Sequence, residues 1–287
     1  KRAKIGLIVL RSDQTLEHEF RQIMNLDGIV FYHSRIENEM EINETSLTKM
    51  SDEIPKAAAL LPQSFDFDVI GYCCSSGSTI IGEETVSKKI NKIHPHALVT
   101  NPLSASKEAL KSLGVKRVGF ITPYDPYVTN EMRKNLLFSG LEIPVTGSFY
   151  ESDDFVVGRI SEDSILESIL KIGSRKDCDG VFVSCTNLRV VSLIKKAESR
   201  LGKPVTSSNH ALAWHLLRLS GINDFLEVKD MSLKELSPLS GSGNIETTGG
   251  KITATGDITT SGNVTATGNV TATGYGEFGN AYIGSYK

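Results

Sequence analysis

The sequence feature that most constrains the fold of this chain is an internal duplication. Three pairs of segments resemble each other and occur in the same order: Lys4–Val9 with Arg117–Thr122, Tyr72–Ser76 with Val183–Asn187, and Val99–Ala105 with Val205–Ala211. Cys74 and Cys185, which occupy equivalent places in the second pair, lie 111 positions apart. We therefore expect two copies of one folding unit, over residues 1–110 and 111–228, related by a pseudo-twofold axis.

Each copy alternates short apolar segments with longer amphipathic ones. Ile5–Leu10, Val69–Cys73 and Val118–Ile121 are continuous apolar runs, as expected of strands buried on both faces. Helical patterns lie between them, for example over 15–24, 46–61, 82–92 and 104–113. This alternation predicts an α/β fold with two similar parallel-sheet subdomains and right-handed crossovers.

The composition changes after Pro238. Residues 240–287 contain no Leu, Pro, Cys or His, and glycines recur every six residues at 250, 256, 262, 268 and 274. We interpret 229–243 as a linker and 244–287 as a Gly/Thr-rich β-repeat tail that needs neighbouring repeats to bury a core. The strict period argues against low-complexity disorder. The repeat resembles the β-helical shafts of phage tail fibres. This resemblance implies a homo-oligomer and favours a trimer.

Bulk properties exclude several classes of function. A net charge of −3 gives no electrostatic case for nucleic-acid or membrane-surface binding. No apolar run approaches the roughly 20 residues of a membrane span, and Lys1 leads straight into a strand pattern, so we expect no signal peptide and a cytoplasmic location. Four cysteines do not form a disulfide framework, and their spacing is not that of a zinc site. We expect no metal and no cofactor.

Cys74 and Cys185 are the candidate catalytic residues. Each follows a predicted strand, and ligands of open α/β sheets bind beyond the carboxyl ends of the strands, so the duplication directs both thiols to one cleft. Each also precedes a small polar turn that we expect to begin a helix, which would lower the thiol pKa. Backbone amides of Ser75–Ser78 and Thr186–Asn187 would then hold a substrate carboxylate. A cysteine at a strand end is more often simply packed in the core, as we expect for Cys73 and Cys178.

Four segments resemble the aspartate/glutamate racemase superfamily, and within it the maleate cis–trans isomerase branch. They are Leu10-Arg-Ser-Asp-Gln-Thr, Cys74-Ser-Ser-Gly-Ser, Thr122-Pro-Tyr and Ser184-Cys-Thr-Asn-Leu-Arg, and the resemblance covers residues 4 to about 225. It implies that Cys74 is the nucleophile or first base, that Cys185 is the second acid/base and that Tyr124 positions the substrate. It places substrate binding at Ser75, Ser76, Gly77, Thr186 and Asn187.

Two departures from that branch concern the substrate. Asp13 and Asp154 stand where the isomerase pattern has Asn that contacts substrate carboxylate. An ionised carboxylate cannot donate a hydrogen bond and repels an anion, so both residues favour a substrate with an ammonium or amide N–H. The alternative for each is a helix N-cap.

The segment Val9–Phe20 resembles the ectoine-utilisation proteins of the EutA type. This resemblance implies racemisation or epimerisation at the α carbon of a small amino-bearing carboxylic acid, in the catabolism of ectoine or diaminobutyrate derivatives. Two alternatives stay open. One is maleate-type cis–trans isomerisation of a dicarboxylate by covalent catalysis. The other is a fibre-borne protein that binds a small acid without turning it over.

Overall fold

A computed structural model describes residues 2–224 throughout and, beyond them, only the short strands at 227–228, 231–232, 245–247 and 264–266. The chain divides into two compact units, residues 1–237 and 238–287. Among the described residues, no helix combines the length and the hydrophobicity needed to cross a membrane.

The first sheet is built around β1 (Ala3–Leu10), whose apolar side chains are buried on both faces. Its strands are all parallel and lie in the order β2-β1-β3-β4, with β2 over Ile29–Ile36, β3 over Val69–Cys73 and β4 over Leu98–Thr100. Its helices are α1 (Leu16–Ile23), α2 (Glu44–Met50), α3 (Ile54–Ala59), α4 (Ser75–Ile81), α5 (Glu83–Asn91) and α6 (Pro102–Ser112).

The second sheet repeats the first. Its parallel strands lie in the order β6-β5-β7-β8, with β5 over Arg117–Thr122, β6 over Glu142–Ser148, β7 over Gly180–Val183 and β8 over Val205–Ser207. Its helices are α7 (Pro126–Phe138), α8 (Asp154–Val157), α9 (Glu162–Gly173), α10 (Ile194–Leu201) and α11 (Ser208–Leu219). The equal strand order confirms the predicted fold of two similar parallel-sheet subdomains.

Equivalent helices of the two halves pack against each other at the centre of the first unit. α6 and α11 each begin at a side-chain cap, since Asn101 accepts from the amide of Ser104 at 3.0 Å and Ser207 accepts from that of His210 at 3.2 Å. Nine of the twelve residues of α11 are buried, because it contacts both α6 and strands of the first half. The carboxyl ends of β3 and β7 therefore face a shared centre.

Two local expectations differ from the structure. The helix predicted over 46–61 is divided into α2 and α3 by a 3-10 turn at Ser51–Glu53. The helix predicted over 82–92 is preceded by α4, which begins directly after Cys74 and ends at Gly82, where φ is +90°. That backbone conformation suits glycine and separates α4 from α5.

Four short strands follow α11. β9 (Glu227–Val228) pairs antiparallel with β10 (Met231–Ser232), and in the second unit β11 (Ile245–Thr247) pairs parallel with β12 (Val264–Ala266). The rest of the linker and of the hexad repeat lies outside the described residues. Trimerisation through the tail stays a prediction.

Candidate active site

A cavity of about 400 Å³, including its open mouth, lies at the carboxyl ends of β3 and β7. Both candidate cysteines line it. Of the ten predicted site residues, seven line the cavity: Cys74, Ser75, Ser76, Tyr124, Asp154, Cys185 and Thr186. Asp13, Gly77 and Asn187 lie behind this lining. The apolar part of the wall consists of Leu10, Ile42, Leu47 and Met50.

Cys74 caps the helix that follows it. Its Sγ accepts a hydrogen bond from the amide of Gly77 at 3.2 Å and lies 3.5 Å from the hydroxyl of Ser76. Gly77 acts through its lack of a side chain, because a Cβ there would lie 2.6 Å from the Tyr72 hydroxyl and 3.0 Å from the Cys74 Sγ. The close approach of the thiol to the start of α4 therefore requires glycine at 77.

Cys185 is held differently. The prediction that it begins a helix is wrong, because only a turn follows it and α10 starts at Ile194, after a 3-10 turn. Its φ is +143°, a backbone conformation that residues with a side chain rarely adopt. Its N–H donates to Ser208 Oγ at 3.1 Å, and its Sγ accepts from the amide of Asn187 at 3.4 Å and from the Tyr124 hydroxyl. These contacts hold a strained backbone in place.

Burial has a larger effect on the pKa of both thiols than the nearby backbone amides do. It raises the pKa of Cys74 to about 11, although the hydroxyl of Ser76 and the amide of Gly77 oppose the rise. Burial also raises the pKa of Cys185, with the negative charge of Asp154 adding to it. The prediction of lowered thiol pKa values is therefore wrong, because burial raises both and leaves both thiols neutral at pH 7.

Asp154 is a buried carboxylate on the cavity wall, with only 2% of its surface exposed. The hydroxyl of Ser12 donates to its Oδ2, and the side-chain amide of Asn187 donates to its Oδ1 at 3.2 Å. Burial raises its pKa. The cap of α8 is the neighbouring Asp153, which accepts from the amide of Phe155 at 2.8 Å, so Asp154 is not the N-cap.

Asp13 is buried behind the cavity wall. Its Oδ1 accepts from the amides of Thr15 and Leu16, both at 2.8 Å, so this oxygen has the capping role that was the alternative interpretation. Its Oδ2 makes no hydrogen bond of good geometry, although the Thr186 hydroxyl is close enough to lower the pKa of the group. Burial is the larger effect and raises the pKa of Asp13 to about 6. Asp13 therefore holds its proton more tightly than an exposed aspartate does.

Asn187 joins the two halves. Its Oδ1 accepts from the amide of Gln14 at 2.9 Å, and its Nδ2 donates to the backbone carbonyl of Asp154 at 2.8 Å. Its backbone N–H donates to the Sγ of Cys185. The last of these bonds occupies one of the two backbone amides, those of Thr186 and Asn187, that we expected to hold a substrate carboxylate.

The sequence analysis missed four polar residues that bond to segments around the site: Ser12, Glu19, Asn38 and Ser208. Asn38 donates to the hydroxyl of Ser12 at 2.8 Å and lines the cavity. The hydroxyl of Ser208 lies 2.8 Å from that of Ser75. The buried Glu19 of α1 accepts from the amides of Val190 and Val191 at 2.7 and 2.8 Å, and from Asn209. Ser12 and Glu19 lie inside the segment Val9–Phe20, but Asp154, the partner of Ser12, and Val190, Val191 and Asn209, the partners of Glu19, are more than 100 positions away, so no local pattern reveals these contacts.

The charged side chains that line the cavity are acidic. Asp154, Glu39 and Glu41 line it, and among the residues that the structure describes no Lys, Arg or His does. Among the described residues, no group of three or more His, Cys, Asp or Glu is arranged to hold a metal ion. A buried carboxylate without a cationic partner is costly, so a ligand that brings a positive charge would relieve it.

Comparison with known proteins relates most of the chain to one enzyme family. Residues 36–230 match the sequence model of a family described as arylmalonate decarboxylase. The maleate isomerase of Geobacillus stearothermophilus is 25% identical over 257 residues, which cover 84% of this chain and 97% of the relative.

Two solved structures share the fold. The maleate isomerase Iso from Pseudomonas putida S16 superposes with a TM-score of 0.73 at 20% identity, covering 82% of this chain and 98% of that chain. A cysteine-to-serine mutant of the Nocardia farcinica maleate cis–trans isomerase, with a covalently bound succinylcysteine intermediate, superposes with a TM-score of 0.70 at 22% identity and covers 77% and 93%. The matched family and relatives are enzymes, as the sequence predicted, and this chain belongs to the arylmalonate decarboxylase family.

Proposed function

We propose that this protein is a cofactor-independent racemase or epimerase that acts at the α carbon of a small amino-bearing carboxylic acid. The observation that carries the proposal is a cavity lined by two thiols and the buried carboxylate of Asp154, with Asp13 buried behind its wall and no cationic side chain among the described residues that line it. The ammonium of the substrate would supply the missing positive charge.

The two thiols would divide the proton transfer between them. In the active form one is a thiolate, which takes the α proton from one face, and the other is a thiol, which returns a proton to the opposite face. Burial raises the pKa of both Cys74 and Cys185, so one of them has to ionise when the substrate binds. A substrate ammonium lowers a nearby thiol pKa, whereas a dicarboxylate raises it. The charge that satisfies the aspartates thus also favours the thiolate.

The substrate carboxylate would bind at the start of α4. The first amides of a helix have no intrahelical acceptor, and they attract anions. Ser75 and Ser76 supply two such amides on the cavity wall, and the hydroxyl of Tyr124 lies on the same wall. The proposed α carbon then lies between an anionic group at α4 and a cationic group at Asp154.

The second candidate is cis–trans isomerisation of maleate or a related dicarboxylate. It is favoured by the maleate isomerase relatives and by the succinylcysteine bound in the Nocardia farcinica structure. In this reaction one thiolate adds to the double bond, rotation follows, and elimination restores the thiolate. Against it, two carboxylates of the substrate would approach Asp13 and Asp154.

A substrate panel in D₂O distinguishes the two. We would incubate the protein with maleate, common α-amino acids, diaminobutyrate and its N-acetyl derivatives, and follow α-deuteration and double-bond geometry by NMR. We expect α-deuteration with loss of optical activity for an amino-bearing acid, weakening below pH 6 as Asp13 loses its charge. Conversion of maleate to fumarate, with no exchange in any amino-bearing acid, would overturn the proposal.

Matched variants test the chemistry and the charge separately. In proton transfer by two bases, Cys74→Ser and Cys185→Ser should each retain exchange of the α proton of one enantiomer only. In covalent catalysis, loss of the nucleophile abolishes all turnover. Asp154→Asn, which keeps the shape and the hydrogen bond from Ser12, should raise KM for an amino-bearing acid about tenfold or more. An unchanged KM would show that Asp154 does not contact the ammonium.

A further inference from the structure

The strained backbone of Cys185 depends on one hydroxyl group from another element. The φ of +143° places Cys185 in a conformation that persists only where its surroundings impose it. Its N–H donates to Ser208 Oγ at 3.1 Å. Ser208 is the first residue of α11 and is fully buried, so its position is fixed by the packing of that helix.

The same hydroxyl reaches the other half of the site. Ser208 Oγ lies 2.8 Å from Ser75 Oγ, within hydrogen-bond distance. Ser75 directly follows Cys74 and begins α4. A path of two hydrogen bonds therefore joins the backbone of Cys185 to the residue that follows Cys74, across the boundary between the two halves.

We propose that Ser208 is a positioning residue that fixes Cys185, and with it the separation of the two thiols. In this respect the duplication is asymmetric. The residue of α6 equivalent to Ser208 is Pro102, which has no hydroxyl, so nothing equivalent to Ser208 holds Cys74. Cys74 instead has an ordinary extended backbone and caps its own helix.

The importance of this link for turnover rests on the proposed function, but the link can be tested without a substrate. Iodoacetamide alkylation of each cysteine, resolved by mass spectrometry, measures how firmly each thiol is held. In Ser208→Ala, we expect Cys185 to relax its backbone and to be alkylated about tenfold faster by local opening. Cys178, buried before the first residue of β7 and so at the opposite end of that strand from Cys185, serves as the internal reference, because a general loosening of the fold would accelerate both.

Two further variants complete the test. Ser208→Thr keeps the hydroxyl and should restore the alkylation rate of the native protein. Ser106→Ala removes a buried hydroxyl that bonds only to Pro102 O within α6, and it should leave the alkylation of Cys185 unchanged. If Ser208→Ala does not fold, Ser75→Ala breaks the same link from its other end.

The outcomes separate cleanly. Faster alkylation of Cys185 relative to Cys178 in Ser208→Ala or Ser75→Ala, with rescue by Ser208→Thr, supports the proposal. Equal rates for Cys185 in the native protein and in the folded variant overturn it. If the protein turns over no amino-bearing acid of the panel, the alkylation rates stay the same. That result would refute the proposed function and not the role of Ser208.

Discussion

Replacement of Gly77 by Ala tests how tightly the first thiol is packed. The added Cβ would lie 2.6 Å from the Tyr72 hydroxyl, 2.8 Å from Met50 Cε and 3.0 Å from Cys74 Sγ, all short of the 3.4–4 Å of ordinary contact. Met50 Cε ends a flexible side chain and can move, whereas Tyr72 is fully buried. Overpacking costs about 1–3 kcal/mol, and alanine gains about 1 kcal/mol over glycine in a helix, so a net loss of up to about 2 kcal/mol is expected.

The effect on the thiol should exceed the effect on stability. Relief of the contact has to displace Cys74 Sγ by several tenths of an ångström, away from the Gly77 amide to which it is bonded. Because a misplacement of about 1 Å can cost about 100-fold in rate, turnover should fall about 10- to 100-fold. The rate of Cys74 alkylation by iodoacetamide should change with it.

Gly173→Ala is the matched control. It adds a Cβ to another helical glycine, 2.5 Å from Leu201 Cδ1 and 2.9 Å from Val181 Cγ2, away from the cavity. Urea denaturation should show a similar loss of stability in both variants, while only Gly77→Ala alters Cys74. A folded Gly77→Ala protein with native alkylation and turnover would refute the packing argument.

Three further predictions follow from the structure. Because the φ of Cys185 is +143°, Cys185→Gly should be at least as stable in urea as Cys185→Ala. At Cys73, which lies in a regular strand, the Gly variant should be about 1 kcal/mol less stable than the Ala variant. The same order of stability at both positions would argue against backbone strain at Cys185. Burial raises the pKa of Glu19 from 4.5 to about 7, so the folded state holds this proton more tightly than the unfolded state does. The free energy of unfolding should therefore fall by about 3 kcal/mol as the pH rises from 4.5 to 7. Glu19→Gln should flatten this part of the stability–pH profile, and an unchanged profile would be the contrary result. Deletion of 240–287 should lower the mass measured by light scattering if the tail associates chains; an equal mass for both proteins would refute that role.

The architecture can be predicted from the sequence because the duplication is visible when one half of the chain is compared with the other. Continuous apolar runs identify the central strands, and equal spacing identifies Cys74 and Cys185 as equivalent residues at the ends of β3 and β7. Placement of both thiols in one cavity follows from parallel strands and from the symmetry of the two halves.

Long-range contacts explain what the sequence does not reveal. The turn after Cys185 is not a helix, because Asn187 is bonded to Gln14 and Asp154 of other segments. The thiol pKa values are raised because the fold buries both thiols, and that burial depends on segments from both halves. Ser208 has an ordinary place in a helix, and its role depends on a partner 133 positions away.

The mutual burial of α6 and α11 has a consequence for the way in which such a chain can be divided. Each helix covers apolar surface that belongs partly to the other half, so a cut in the loop between α6 and β5 would leave both fragments with an uncovered hydrophobic face. Neither fragment should be soluble by itself, but the two produced together should recombine. The ancestral single copy would have met the same requirement by pairing with itself, as a homodimer with one thiol from each subunit in the shared cleft.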